Sequence, residues 1–288
     1  MRPDLHPPPG AVREAVARAL AEDLGPLGDV TTALLPPALV VEATVVARAE
    51  GVLAGSGATT EAFAQVDPVV AVDWLVHDGA ELAAGQVVAR VGGPLASVLT
   101  AERTALNFLA HLSGVATLTR RFVAAASGRA QIWDTRKTTP GLRALEKAAV
   151  RAGGGVNHRG DLGSWVLLKD NHLAVVGVAE AVAEARRRWP GRTVEVEADH
   201  PDQLWEAAAA GADVVLLDNM APEEVWRCVA ERGAAGRPLL EVSGGVDLDT
   251  VAAYAATGVD LISVGALTHS APALDVGLDV EGGSVKPG

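Results

Sequence analysis

Lysine is scarce in this 288-residue chain: of its 24 basic residues four are lysine, and the rest are arginine. An ammonium is a compact point charge or a nucleophile, whereas a guanidinium is a planar clamp for carboxylates and phosphates, so the few lysines stand out. Three of them, Lys137, Lys147 and Lys169, fall within Asp134–His172, which also carries Arg136, Arg143, Arg151, Arg159, His158 and His172. Cysteine is rarer still. Cys228 has no second cysteine to pair with, which excludes an intrachain disulfide and fits a reducing compartment, with Cys228 itself a small buried apolar residue. Basic charge is short overall. A net charge of −12 and a pI near 5.0 exclude the dominant basic face that a nucleic-acid or membrane-surface protein needs. Long apolar runs are missing too: no stretch approaches the roughly 18 apolar residues of a membrane span, and MRPDLHPPPG has no apolar signal core. The expectation is a cytoplasmic protein with a small ligand, and the cationic stretch within an acidic chain calls for an anionic one.

Two rhythms divide the chain. Residues 11–24, AVREAVARALAEDL, repeat small apolar residues at helical spacing and stop at Gly25-Pro26. LVVEATVVARAEG, VVAVDWLVHDG and QVVARVGG then read as glycine-bounded strands around a helical GATTEAFAQV, which suggests a small α+β layer. The turn-and-strand pattern of VHDGAELAAGQVVARVGG is similar to a biotinyl or lipoyl carrier, but it has no lysine to carry the group. From Pro94 the pattern is helical, with a break at Ser113-Gly114 as the expected domain boundary. Beyond it, short strands at QIWD, WVLLK, TVEVE, DVVLL, PLLEVS and DLISVG alternate with helical runs, the pattern of parallel strands joined by right-handed crossovers. Six strands favour an incomplete parallel α/β barrel over the usual eight, with an open doubly wound sheet as the alternative. The expected division is an α+β sandwich over 1–113, the barrel over 114–267 and a tail, 268–288, returning to the sandwich.

In a parallel barrel the site forms at the C-terminal ends of the strands. Those ends carry Asp134, Arg136 and Lys137; Lys169 and Asp170; Glu197; Asp218 and Asn219; Ser243, Gly244 and Gly245; and Gly265. SGGV and VGALTHS, at the last two strands, are glycine loops whose backbone N–H groups can hold a phosphate. Glu197 and Asp218 on neighbouring strands could hold a divalent cation through its waters, accept bonds from sugar hydroxyls, or pair with Lys137 or Lys169. Arg136, His158 and Arg159 suit a planar polycarboxylate, with His158 biased toward its neutral form by the adjacent arginine. Arg143, Lys147 and Arg151 follow at i, i+4 and i+8, as a solvated helix face or a subunit contact would. His111 and His200 are expected to be structural, Glu102 and Arg103 a surface pair, and Lys286 solvated. Zinc is not expected, because neither HExxH nor paired cysteines occur.

Taken together, EDLGPLGDVTT, AERTALNFLAHLSGVAT, DTRKTTPGLRALEKAAVRAGGGVNHRGDL, LLKDNHL, VEVEAD, LLDN, EVSGG and SVGALTHS resemble, in order and over nearly the whole chain, the quinolinate phosphoribosyltransferase family. The resemblance implies transfer of phosphoribosyl from phosphoribosyl pyrophosphate to quinolinate with decarboxylation, giving nicotinate mononucleotide, pyrophosphate and carbon dioxide with Mg2+ in NAD biosynthesis. It implies that Arg136, Lys137, His158, Arg159 and Lys169 bind the quinolinate carboxylates, and that Glu197 and Asp218 lie near ribose and metal. Ser243, Gly244, Gly245, Gly265 and His269 would form the phosphate end, and Arg103 would enter the neighbouring subunit's pocket in a homodimer. Ala148 departs from the aromatic that many members carry, at a packing position. Readings from other classes are a phosphoribosyltransferase for another aromatic acid without decarboxylation, and a lyase forming a Schiff base on Lys169.

Overall fold

A computed structural model of the chain describes residues 5–36, 38–233 and 236–285, the last five by backbone alone. Lys286 lies outside the described residues. The chain forms two compact units. One runs to Arg120 and also takes Thr138–Gly154 and the chain from Ser270 onward; the other comprises Arg121–Lys137 and Gly155–His269.

In the first unit, α1 (Pro9–Leu24) starts on a proline, whose fixed φ suits the first turn, and buries Val12, Ala15, Val16 and Leu20 as one apolar face. A 3-10 turn (Thr32–Leu34) leads to β1 (Leu39–Ala47), then β2 (Gly51–Val52), α2 (Ser56–Val66), β3 (Ala71–Trp74), β4 (Glu81–Leu82) and β5 (Gln86–Pro94). An antiparallel sheet is ordered final strand (Val276–Val285), β1, β5, β3. Along β1 the pleat sends Val41, Ala43, Val45 and Ala47 inward, each at most 2 % exposed. A register shift opposite Val45 and Val46 inserts one residue into β5, and Val88 and Ala89 are both buried as a result.

Helix α3 (Leu95–Ala126) runs unbroken through Ser113-Gly114, where the sequence suggested a break. The pair is a packing notch. Ser113 Oγ accepts the Ala54 N–H at 3.0 Å and donates to the Ala54 carbonyl at 3.1 Å, and a Cβ on Gly114 would lie 2.1 Å from the Pro272 carbonyl oxygen. Helix α4 (Arg143–Ala152) belongs to this unit rather than to the expected 114–267 barrel. Its fully buried Glu146 bonds His111 Nε2 at 2.8 Å and accepts the Thr139 N–H at 3.1 Å. A Cβ on Gly153, just beyond the helix, would meet the Ala116 carbonyl at 2.4 Å. Lys147 is only 6 % exposed and so does not belong to a solvated face, while Arg143 and Arg151 on either side of it are half-buried.

The second unit contains β6 (Gln131–Trp133), β7 (Val166–Leu168), α5 (Asp170–Leu173), α6 (Val178–Arg188), β8 (Val194–Ala198), α7 (Pro201–Ala210), β9 (Val214–Asp218) and α8 (Pro222–Arg232). It continues with β10 (Leu239–Ser243), α9 (Val251–Ala256), β11 (Leu261–Ser263) and α10 (Ala266–His269). The six strands are parallel in the order β6, β11, β10, β9, β8, β7. The first strand pairs with the last, as in a barrel, whereas a doubly wound sheet would grow outward on both sides of its first strands. Closure stops between β6 and β7, where, among the described residues, a single bridge from Trp133 to Val156 extends β6. The architecture is therefore an incomplete six-stranded parallel α/β barrel with a separate antiparallel α+β unit. His200 N–H and carbonyl bond Gln203 at the start of α7, a structural role, and Cys228 is buried and free.

Two glycines should respond oppositely to alanine. Gly114→Ala gains helix propensity but overpacks the notch, so it should lose roughly 1–3 kcal/mol in urea unfolding at unchanged slope. Gly57→Ala, in α2 with nothing within 4 Å of the added carbon, should be neutral or gain up to about 1 kcal/mol.

Candidate active site

Every second residue of a barrel strand faces the interior, and that period selects the lining of one pocket. At the C-terminal ends, Leu167 and Lys169 follow from β7, Glu197 from β8, Leu216 and Asp218 from β9, Glu241 and Ser243 from β10, and Ser263 from β11. Thr135, Arg136 and Lys137 after β6, and His158 and Arg159 from the loop after α4, complete a hollow of about 300 Å³. A larger hollow in the first unit, about 710 Å³ along α1 and α3, is lined by Arg18, Glu22 and Asp23 among others; its mixed signs offer no net field for a polyanion.

One wall is cationic. Burial and the neighbouring Arg136 guanidinium both hold the Arg159 pKa below its ordinary value, so an anion between the two arginines would relieve both effects. The Lys137 stem packs over Gly265, where an added Cβ would lie 3.1 Å from Lys137 Cδ and 3.1 Å from His269 Nε2. Thr268 Oγ1 donates to the Lys137 carbonyl at 2.7 Å, tying this loop to α10.

The opposite wall is acidic. Lys169 Nζ donates to Glu197 Oε2, so one of the sequence alternatives, a carboxylate paired with a lysine, is realised. The ammonium is engaged there rather than presented as a desolvated amine, and nothing in the geometry favours the Schiff-base reading. Carboxylate oxygens of Glu197, Asp199 and Asp218 lie within 4.8 Å of one another, a set of hard oxygen donors that fits Mg2+. Beside them, Gly244 and Gly245 adopt φ of +94° and +62°, conformations that glycine takes without strain. A Cβ on Gly244 would fall 2.2 Å from Asn219 Oδ1, and Asn219, itself at φ +53°, donates its backbone N–H to the Ser243 carbonyl at 2.9 Å.

Below the pocket lies a buried cluster. Asp134, with no exposed surface, accepts from Asn157 Nδ2 at 2.6 Å and from the His158 N–H at 2.8 Å, fixing the loop. The His158 ring places Nε2 at 3.3 Å from Glu195 Oε2 and 3.5 Å from Glu241 Oε2. Burial disfavours charge on the ring, while hydrogen bonds and charges from both glutamates favour it, a pull that draws a proton into the cluster. Nδ1 accepts the Arg159 N–H at 2.9 Å, and a proton on Nδ1 would turn that bond into a donor–donor contact. The geometry therefore keeps the ring proton on Nε2 and leaves any additional proton with the carboxyl pair, in line with the upward shift of Glu195 caused by burial and by the Glu241 charge.

Thus eight of the expected side chains share one pocket: Arg136, Lys137, His158, Arg159, Lys169, Glu197, Asp218 and Ser243. Gly265 packs against Lys137 and His269, and Gly244 and Gly245 follow Ser243 directly in the chain. Arg103 is exposed on α3 and is not among the lining residues. Sequence reasoning overlooked Glu195, Asp199 and Glu241.

A model of the quinolinate phosphoribosyl transferase N-terminal domain matches residues 29–113, and one of the C-terminal domain matches residues 115–279. The chain belongs to the quinolinate phosphoribosyltransferase family. It is 46% identical over 279 residues to the nicotinate-nucleotide pyrophosphorylase [carboxylating] of Mycobacterium leprae, covering 94% of this chain and 97% of that one. A probable enzyme of the same name from Bacillus subtilis is 44% identical over 263 residues, 90% of each chain. Among solved structures, the nicotinate-nucleotide pyrophosphorylase of Francisella tularensis superimposes with a TM-score of 0.90 at 40% identity, over 95% of this chain and 97% of its own.

The Lys169–Glu197 pair is asymmetric, with side-chain exposures of 44 % and 7 %. Lys169→Met strands a buried carboxylate, whereas Glu197→Gln leaves an ammonium that can reach water. Chemical denaturation should show a loss of roughly 1–3 kcal/mol for Lys169→Met and clearly less for Glu197→Gln.

Proposed function

We infer that the protein transfers phosphoribosyl from phosphoribosyl pyrophosphate to quinolinate and releases carbon dioxide, giving nicotinate mononucleotide and pyrophosphate for NAD biosynthesis. Family membership supports the activity, and the observation that carries the assignment of residues is the single pocket with facing cationic and acidic walls. On this reading Arg136 and Arg159, with Lys137 and Lys169, hold the quinolinate carboxylates, because guanidinium forks match planar carboxylates and lysines add point charge. Glu197 and Asp218 hold the ribose, and Ser243, Gly244, Gly245, Gly265 and His269 form the phosphate end. Bound Mg2+, held by Glu197, Asp199 and Asp218, would offset the charge of the pyrophosphate. Ribosyl transfer through an oxocarbenium-like state needs no strong nucleophile, so the chain contributes positioning and charge stabilisation. Once the pyridine nitrogen is ribosylated and cationic, it stabilises the electron pair left at the adjacent carbon when the carboxylate departs.

The same reading includes a homodimer in which Arg103, exposed on α3, enters the partner's pocket. Cytoplasmic residence is part of it as well, supported by the lone free Cys228. Among the described residues no helix is long and apolar enough to cross a membrane.

Purified protein with quinolinate, phosphoribosyl pyrophosphate and Mg2+ should form nicotinate mononucleotide and carbon dioxide in equal amounts. Nicotinate should fail as substrate, and chelation of Mg2+ should abolish turnover. Lys137→Ala and Lys169→Ala should each lose about 100-fold or more in kcat/KM; near wild-type turnover in either removes that lysine from the mechanism. Mixing inactive Arg103→Ala with inactive Lys169→Ala should restore activity to about a quarter of wild type, since half the dimers then carry one intact site. No recovery would refute the shared site.

A further inference from the structure

Glu195 and Glu241 lie on the interior face of β8 and β10, two residues before Glu197 and Ser243 and therefore one layer deeper. Their exposures are 0 % and 1 %. Glu195 Oε1 and Glu241 Oε1 have no hydrogen-bond partner among the described residues, and Glu241 Oε2 meets His158 Nε2 at the long distance of 3.5 Å. Unmatched buried carboxyl oxygens are costly, and apolar side chains of similar volume would fill the same space without that cost. A pair kept against this gradient at the floor of a pocket points to a task other than stability.

What the pair faces is the His158 ring. Trp165 Nε1 donates to Glu195 Oε2 at 3.0 Å, which fixes that carboxyl, and the ring centroids of Trp165 and Trp133 lie 4.5 Å and 5.8 Å from that of His158. With Nε2 turned toward the carboxyl pair, Nδ1 is aimed at the Arg159 N–H, and the imidazole becomes a strut between the barrel floor and the backbone that carries the Arg159 guanidinium.

We propose that Glu195 and Glu241 are positioning residues for the quinolinate subsite: by accepting the Nε2 side of His158 they lock the ring and, through its Nδ1, the backbone of Arg159. This rests on the functional reading above. It separates the two substrates, because Arg159 is assigned to the aromatic acid and not to the phosphoribosyl donor.

A double-mutant cycle tests it. Glu241→Gln keeps the volume and removes the charge. It should raise KM for quinolinate at least fivefold, leave KM for phosphoribosyl pyrophosphate within twofold, and not lower the thermal midpoint. In a His158→Gln background the same change should have no further effect on KM for quinolinate. Glu195→Gln should reproduce the pattern. Parallel rises in both KM values, an unchanged KM for quinolinate, an effect that survives in the His158→Gln background, or failure of Glu241→Gln to fold would each overturn the proposal. If the wild-type protein makes no nicotinate mononucleotide from quinolinate, the functional reading itself fails; if it does and the cycle is additive, only the positioning role is lost.

Discussion

The two-residue period of the barrel strands is the constraint on which the site depends. A parallel strand in this unit has one face toward the helices and the other toward the interior, and a shift of one residue would exchange them. Val194, Val196 and Ala198 alternate with Glu195 and Glu197, and all five are buried. The alternation therefore does more than separate core from solvent: it places an apolar set against helices and a charged set inside the barrel. Both carboxylates of β8 project to the same side for that reason, one at the mouth and one below it.

Charge inside a barrel has to be answered from within it, and the chain answers at two depths. At the mouth, Lys169 meets Glu197, while burial and the nearby Arg136 together depress the Arg159 pKa. A site with surplus positive charge on one wall and three carboxylates on the other is prepared for a ligand that brings both an anion and a cation. One layer down, His158 meets Glu195 and Glu241, with Trp165 and Trp133 packed against its ring. The upper layer is partly exposed and can exchange partners; the lower one is almost wholly buried, so its groups chiefly hold one another in place.

The strand count and the strand ends were legible in the sequence, because β-rich apolar runs such as DVVLL and DLISVG stop at polar residues. So was most of the pocket, since loop chemistry is concentrated at those ends. The deeper layer was not. VEVEA carries a glutamate at both interior positions, and the period alone could have exposed Glu195; reading only the terminal residue of each strand passed over it and Glu241. Asp199 went unseen for a related reason, lying one residue past the strand although it reaches the same acidic group as Glu197 and Asp218. The expected helix break at Ser113-Gly114 and the expected solvation of Lys147 failed for another reason. A glycine in a helical pattern signals either a break or a close approach, and only the Pro272 backbone lying against Gly114 decides between them. Likewise the row Arg143, Lys147, Arg151 has the spacing of a solvated face, and tertiary packing overrode it at Lys147.

The scarcity of lysine acquires a physical reason in this setting. Arg136 and Arg159 stand on the cationic wall, where Arg159 is held by its backbone bond to His158 and a rigid planar fork can be aimed. Lys137 and Lys169 stand at the rim, where a flexible stem and a point charge are of more use: Lys137 lies along Gly265 toward His269, and Lys169 bends to Glu197 with nearly half its side chain in solvent. Exchanging the two types would put a fork where direction is not fixed and a point charge where it is. The near-exclusive use of arginine elsewhere in the chain makes these two rim positions exceptions, and their geometry accounts for why an ammonium is kept there.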